Sequence, residues 1–396
     1  MISKKMKESL KSSSLIRAMF EEGNRLAEIH GKENVFDFSI GNPNVKPPER
    51  VKTAIKEILD TEDPNFIHGY MSNSGYPDVR EAIAQDINKK YALNLTFKNV
   101  AMVVGAGGGL SVVFKTILDP GDEVITFSPY FVAYKGYITN HQGKMVIVSS
   151  EEGTFQPDLI ALEKAITNKT KAVIINNPNN PTGVVYKEKV MKELAEILER
   201  KSKELGRTIY IVADDPYREI VYDGVEVPYM LNLYTNTFIV YSYSKSLSLP
   251  GERIGYIAFL PEMDEAEDVE ICLGNAIRSI GYTNAPSLFQ RVVAKCLDES
   301  VDVEVYKRNR DLLYNHLLSL GFECAKPEGA FYLFVKAKIK DDIAFSDAAK
   351  KYNLLVVPGS AFGYAGYFRI SYCVSYEKIK KSLPAWTKLA DEFKNL

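Results

Sequence analysis

Between residues 100 and 260 the chain alternates short apolar runs with stretches of helical periodicity. This alternation restricts the fold more than any other feature. The runs are 100–104, 123–127, 144–148, 172–175, 209–213, 238–241 and 254–260, and helical patterns lie between several of them at 110–118, 133–140, 159–166 and 187–205. Strands that alternate with helices form βαβ units, so the pattern predicts an α/β fold with a mostly parallel seven-stranded sheet covered by helices on both faces. The runs are apolar throughout, as strands buried on both sides require.

After Asn284 the pattern changes. Residues 285–320 read as a long helical stretch broken near Glu299, and 329–338 alternate like a half-exposed strand. Short strands follow at 354–357 and 368–373, and 376–395 is helical. These segments predict a smaller α+β domain. The start of the chain reads as a surface segment with an amphipathic helix within residues 1–23, and the part up to about Val45 is expected to pack with the smaller domain. The expected division is 1–45, 46–284 and 285–396. A chain of 396 residues with 46% apolar content can bury cores of this size.

Charge and cysteine usage narrow the function. The formal net charge is -2, with basic residues scattered, so no electrostatic footprint for nucleic acid is present. No apolar run is long enough to span a bilayer, and residues 1–23 lack the apolar core of a secretory leader. The four cysteines, Cys272, Cys296, Cys324 and Cys373, have no metal-ligand spacing, and the 4 histidines are equally scattered. This pattern suits unpaired thiols in a reducing compartment, so a cytoplasmic protein without a metal site is expected.

The groups that can carry chemistry follow the strands. Gly105-Ala106-Gly107-Gly108-Gly109 comes after the run 100–104 and opens a helix. Amides at a helix N-terminus bind anions, and glycine lets a phosphate come close. The same glycines could simply allow tight packing of the helix on the strand. Leu110 stands where a dinucleotide fingerprint needs glycine, and no Gly-Lys-Ser/Thr ending follows. Asp214 ends another run, with Asp215 beside it, and either could face a ligand beyond the strand ends. A Pro/Gly-rich turn, Asn177 to Gly183, belongs to the same sheet edge.

Lys245 lies in Ser242-Tyr243-Ser244-Lys245, eight residues ahead of Arg253. It follows an apolar run and is flanked by small hydroxyl residues. Partial desolvation there disfavours the ammonium and frees the amine for Schiff-base chemistry. Arg369 is in the strand 368–373 on the less apolar face, where it can clamp a carboxylate or serve a structural salt bridge.

With lysine, aspartate, Asn180-Pro181-Thr182-Gly183 and arginine in this order, the chain resembles the fold-type-I pyridoxal-phosphate enzymes, specifically the class I/II, aspartate-aminotransferase-like family. The resemblance runs from Gly41 to Arg369 and is strongest over Ser242 to Gly255. It implies pyridoxal 5'-phosphate as cofactor, with Lys245 as its lysine, Asp214 facing the pyridine nitrogen, and Tyr217 and Asn180 on the ring hydroxyl. It implies that Ala106, Gly107, Ser242 and Arg253 cradle the phosphate and that Phe131 stacks on the ring. It assigns Arg369 to the substrate carboxylate with Gly41 and Asn180 beside it, and Tyr70 to the phosphate of a neighbouring subunit in a homodimer. The implied activity is ping-pong transfer of an amino group between an L-amino acid and a 2-oxo acid, with aspartate or an aromatic amino acid as donor. A β-C–S lyase or an aminocyclopropane-carboxylate-type synthase would use the same residues. Departures are Asp215-Pro216 after Asp214, where glutamate and a non-proline are commoner, and phenylalanine at 131. No arginine is assigned to a dicarboxylate side chain.

Overall fold

The computed structural model describes residues 2, 3, 6, 7 and 15–394. A short first strand, β1 (Phe36–Asp37), precedes the seven strands of the main sheet. These are β2 (Val100–Val103), β3 (Glu123–Ser128), β4 (Lys144–Ser149), β5 (Thr170–Asn176), β6 (Tyr210–Asp214), β7 (Thr237–Ser242) and β8 (Gly255–Ala258). Their order is β2-β8-β7-β6-β5-β3-β4. Strands β3 to β7 run parallel to one another, and β8 is antiparallel to both β7 and β2. The α/β class and the mostly parallel seven-stranded sheet are as the sequence pattern predicts.

Two cores cover the faces of this sheet. Ile125, Val173, Ile211 and Ile239 point to one, and Val124, Ala172, Val212 and Val240 to the other. Successive strand residues alternate between faces, so a strand covered on both sides must be apolar at every position. The exception is β4, where only Val148 is buried and Ile147 is 50% exposed. It closes one edge of the sheet and pairs only with β3, so full burial was not required of it.

The helix after β2 spans Gly105–Ile117 and starts five residues before the expected 110. Glycine is a poor helix former, but a Cβ on Gly109 would lie 2.6 Å from the Val240 side chain. Close packing on β7 explains the residue better than helix propensity does.

The rest of the chain forms two smaller sheets from β9 (Tyr332–Lys336), β10 (Leu354–Leu355), β11 (Val357–Pro358) and β12 (Tyr367–Ser371). Strand β1 pairs in parallel with β10, and β11-β12-β9 form an antiparallel sheet. The run 354–357 is thus split between two sheets. The half-exposed strand expected at 329–338 is instead buried from Tyr332 to Val335. Phe334 packs into the main-sheet core, while Leu333 and Val335 pack into the other with Phe345 and Trp386. Both faces of β9 are therefore covered. The stretch 285–320 forms two helices, Ser287–Ala294 and Val303–Ser319, the second capped by the Asp302 side chain on the Glu304 amide. A helix occupies Leu15–His30, and the last spans Tyr376–Glu392. Of the segment expected at 1–23, residues 1, 4, 5 and 8–14 lie outside the described residues, as does Asn395.

Candidate active site

Parallel strands end on the same edge, which brings β5, β6 and β7 together at their carboxyl ends. Asn176 on β5 is level with Asp214 on β6, and Ser242 ends β7 opposite Gly255. Beyond this edge lies a cavity of about 310 Å³. Its walls include Gly41, Ala106, Gly107, Phe131, Asn180, Asp214, Tyr217, Ser242, Lys245, Arg253 and Arg369. The structure thus brings together residues from Gly41 to Arg369 that are far apart in sequence. Tyr70 is not among them; it is 92% exposed on the surface.

Lys245 sits on a four-residue helix, Tyr243–Ser246, whose N-cap is Ser242. Its Nζ donates to the Gly41 carbonyl oxygen at 2.8 Å. Burial is the main reason that its pKa falls to about 8, with the Arg253 and Arg369 charges adding and Cys373 opposing. A substantial neutral fraction near physiological pH makes this amine a nucleophile and a base.

Asp214 and Asp215 are separated by the strand geometry. Asp214 faces the cavity, where Tyr134 Oη donates to its Oδ2 at 2.6 Å and Asn176 Nδ2 lies 3.5 Å away. Burial raises its pKa to about 7, partly offset by the Tyr134 hydrogen bond and reinforced by Asp215. Asp215 instead accepts from Arg218 Nε and Nη2 at 2.9 and 2.7 Å, both side chains being buried.

An anion-binding end lies beside them. The helix Gly105–Ile117 has no side-chain cap, so its first amides are left to the solvent or a ligand. A Cβ at Gly107 would lie 2.7 Å from Tyr137 Oη, another cavity residue. The Ser242 and Ser244 hydroxyls are 2.8 Å apart, and both line the cavity. Arg253 is held by the Pro250 and Val104 carbonyls at 3.0 and 3.3 Å, with a φ of 53°. A left-handed backbone at a non-glycine residue is uncommon, and here it aims a guanidinium at the helix start.

Arg369 lines the same cavity. Its Nη1 donates to Asn180 Oδ1 at 3.1 Å and its Nη2 to the Ser39 carbonyl. Its Nε is buried without a partner. Its guanidinium carbon lies 4.7 Å from the centre of the Tyr332 ring and 4.8 Å from that of Phe362. Tyr217 Oη is 2.9 Å from Tyr332 Oη. The salt-bridge reading of Arg369 does not hold, because among the described residues no carboxylate pairs with it or with Arg253.

These groups fit the cofactor that the sequence resemblance implies. A buried carboxylate with no cationic partner faces one wall, and two guanidiniums with no anionic partner face others. A phosphorylated pyridine with an aldehyde, joined by a carboxylate substrate, is complementary to that arrangement. The orphaned Arg369 Nε and the uncapped helix supply the free donors that such ligands require.

Sequence reasoning missed Tyr134, Asn176, Ser244, Tyr137, Ser39 and Tyr332. Tyr134 opens the helix Tyr134–Asn140, and no pattern in the sequence sets it apart. Asn176 ends β5 as Asp214 ends β6, and comparing strand ends would have found it.

Comparison with known proteins agrees with this geometry. Residues 33–385 match the family model of aminotransferase class I and II. An amino transferase from Eubacterium rectale shares 45% sequence identity, with a TM-score of 0.97 and full coverage, 100% of each chain. The aspartate aminotransferase of Thermus thermophilus, solved with maleate, is 29% identical with a TM-score of 0.84, over 95% of this chain and 96% of that one. The aromatic-amino-acid aminotransferase 2 of Thermococcus litoralis is 33% identical over 96% of each chain. The chain belongs to the aminotransferase class I and II family, and is an aminotransferase of the fold-type-I kind.

Proposed function

We propose that the cavity holds pyridoxal 5'-phosphate and moves an amino group between an L-amino acid and a 2-oxo acid by a ping-pong mechanism. The observation that carries this reading is that one cavity gathers the buried Lys245 amine, the Asp214 carboxylate with no cationic partner and the Arg253 and Arg369 guanidiniums with no anionic one. In this reading Ala106, Gly107, Ser242 and Arg253 receive the phosphate, and Phe131 covers the ring. Asp214 holds a proton at the ring nitrogen, and Tyr217 and Asn180 hold the ring hydroxyl. The free Tyr70 side chain supports a homodimer in which it completes a neighbouring site.

When bound, the cofactor supplies an electron-accepting ring that stabilises negative charge on the substrate Cα. The protein supplies position and proton movement. Arg369 would take the substrate α-carboxylate through its free Nε, beside Asn180 and Gly41, and fix the Cα–H bond toward Lys245. Lys245 would hold the cofactor, and its buried Nζ, with its lowered proton affinity, is suited to take that proton as general base. Burial of Asp214 and Arg369 keeps competing water from their polar groups.

Names of relatives guide the substrate: aromatic-amino-acid and aspartate/prephenate aminotransferases. The described cations lining the cavity are Lys245, Arg253 and Arg369, each already assigned, while Phe131, Ile40 and Tyr332 offer apolar wall. Aspartate or an aromatic amino acid is the proposed donor. The cavity gathers Gly41, Tyr332 and Arg369 with Asp214 and Lys245. This supports a division into a large domain, 46–284, and a smaller one, 285–396 with 1–45. A cytoplasmic location is proposed from the free cysteines. No helix among the described residues is long and apolar enough to cross a membrane.

A donor panel against 2-oxoglutarate, followed at the cofactor absorbance, tests the reading. With an amino acid alone, the expected reaction stops after one half-turnover. Continued release of ammonia and an oxo acid would establish the lyase reading instead.

A further inference from the structure

A second cavity lies behind the strand that leads to Lys245. It has a volume of about 210 Å³ and shares no lining residue with the first. The two stand back to back: Tyr241, Tyr243 and Ser246 face the second, whereas Ser242, Ser244 and Lys245 face the first. Five tyrosines line it. Tyr241 stacks on Tyr256 with ring centres 4.9 Å apart and meets Tyr243 edge-on at 5.1 Å, and Tyr91 stacks on Tyr229 at 3.7 Å. Among these walls are two buried oxygens without a hydrogen-bond partner, Glu219 Oε2 and Tyr229 Oη.

The other charges here are paired or lie at the surface. Arg218 is held by Asp215 at 2.7 Å, and Lys90 by Asp86 at 2.7 Å. Asp298 and Glu299 are exposed at the rim. Among the described residues, no salt bridge takes up Glu219, Asp298 or Glu299.

We propose that this cavity binds a small primary ammonium ion, with Glu219 as its counter-charge. The site is independent of the cofactor assigned above. A buried carboxylate oxygen without a donor is costly, and a ligand that brings N–H groups removes that cost. A primary ammonium carries three donors on one atom, and Glu219 Oε2 and Tyr229 Oη can accept two of them. Aromatic faces attract a cation, and they also cover an alkyl chain. The acidic rim favours the entry of positive charge and repels anions. A neutral alcohol would leave the carboxylate without its counter-charge. A divalent metal lacks ligands, because the described residues contain no group of three His, Cys, Asp or Glu side chains able to hold one. The volume is below the roughly 300 Å³ at which pockets for drug-sized ligands begin, so the ammonium must carry a short chain. Burial raises the Glu219 pKa, with the Tyr241 phenol and the Arg218 charge opposing the rise, and a bound ammonium would hold the carboxyl ionised.

The test is a calorimetric titration at pH 8 of cofactor-loaded protein treated with borohydride, so that no aldehyde is left to react with an amine. Propylammonium chloride is the probe, and 1-propanol, potassium chloride and tetramethylammonium chloride are the comparisons. Propylammonium is expected to fill one saturable site with a Kd on the order of 1 mM, as suits a ligand of so few atoms. Each comparison should bind at least roughly tenfold more weakly, because each lacks either the charge or the N–H donors. Glu219→Gln keeps the shape and removes the charge, and should weaken propylammonium by roughly tenfold or more. Tyr229→Phe loses only the unpartnered hydroxyl and should weaken it about threefold, which keeps the test open should Glu219→Gln fail to fold. Asp214→Asn, at the first cavity, should leave the binding unchanged. Protein that took up no cofactor would still give these results. No saturable heat, equal affinity for any comparison, or unchanged affinity in either Glu219→Gln or Tyr229→Phe would overturn the inference. So would a loss of binding in Asp214→Asn, which would place the amine in the first cavity.

Discussion

Asp214 and Asp215 are neighbours in the chain, yet their carboxylates serve different parts of the molecule. Asp214 takes a 2.6 Å hydrogen bond from Tyr134 at the cavity wall, while Asp215 is locked to Arg218 at 2.7 Å. Strand alternation at the end of β6 separates the two, and a substitution at each should fail in a different way.

Asp214→Asn should bind the cofactor but lower turnover by roughly 10²–10³-fold, the cost of losing one preorganised electrostatic group. Asp215→Asn should retain most of the activity per folded molecule. It should lose about 3–5 kcal/mol of stability, because the Arg218 charge is left buried without its partner. Steady-state rates and denaturant melts on both variants check this, and a reversed pattern would exchange the two roles.

Asp214 also gives the cofactor-free protein a pH dependence. Its folded pKa is raised to about 7, whereas the unfolded value is about 3.9. Between those values the folded state holds a proton that the unfolded chain has released. This group's contribution therefore falls as pH rises from ~4 to ~7 and is constant above. Wild type should lose more stability than Asp214→Asn between pH 5 and pH 8, measured as the shift in denaturant midpoint. Equal losses would show that the carboxyl is not buried as described.

Arg369→Leu should weaken carboxylate substrates by ~2–5 kcal/mol, the usual cost of stranding one partner of a buried charge pair. Its Nη atoms donate to Asn180 and the Ser39 carbonyl, so some loss of melting temperature is expected as well, and kcat/KM per folded molecule is the readout. Unchanged kcat/KM would make the arginine structural.

Gly255 faces Ser242 across the β7–β8 pair, and a Cβ there would collide with the Tyr241 carbonyl and lie 3.1 Å from the Ser242 Cα. Backbone cannot swing aside as a side chain can. Gly255→Ala should cost about 1–3 kcal/mol through overpacking and displace the strand end that carries Ser242. Thermal melts and cofactor affinity measure the two effects, and a variant with both unchanged would refute the close approach.

The main sheet was legible because each of its inner strands must be apolar at every position, and that leaves a local trace in runs such as 172–175 and 238–241. The edge strand β4 carried a similar run, and only its place in the sheet, invisible in sequence, leaves Ile147 in water. β9 was misread because its alternation includes Tyr332, a polar-tipped residue that is fully enclosed by contacts from distant segments. At the site, residues with a local pattern stood out, such as Lys245 after its hydroxyl-flanked run and the glycines before Leu110. Those that act through another side chain did not. Tyr134 and Tyr332 gain their importance from where Asp214 and Tyr217 lie in space, and no local spacing encodes that.

The most direct test of the whole account is chemical. The protein is loaded with pyridoxal 5'-phosphate, reduced with borohydride, digested and analysed by mass spectrometry. The account expects one stable adduct on the Nζ of Lys245, absent from Lys245→Ala, whose turnover should fall by at least roughly 10²–10⁴-fold. An adduct confined to other lysines, or full turnover in Lys245→Ala, would contradict it.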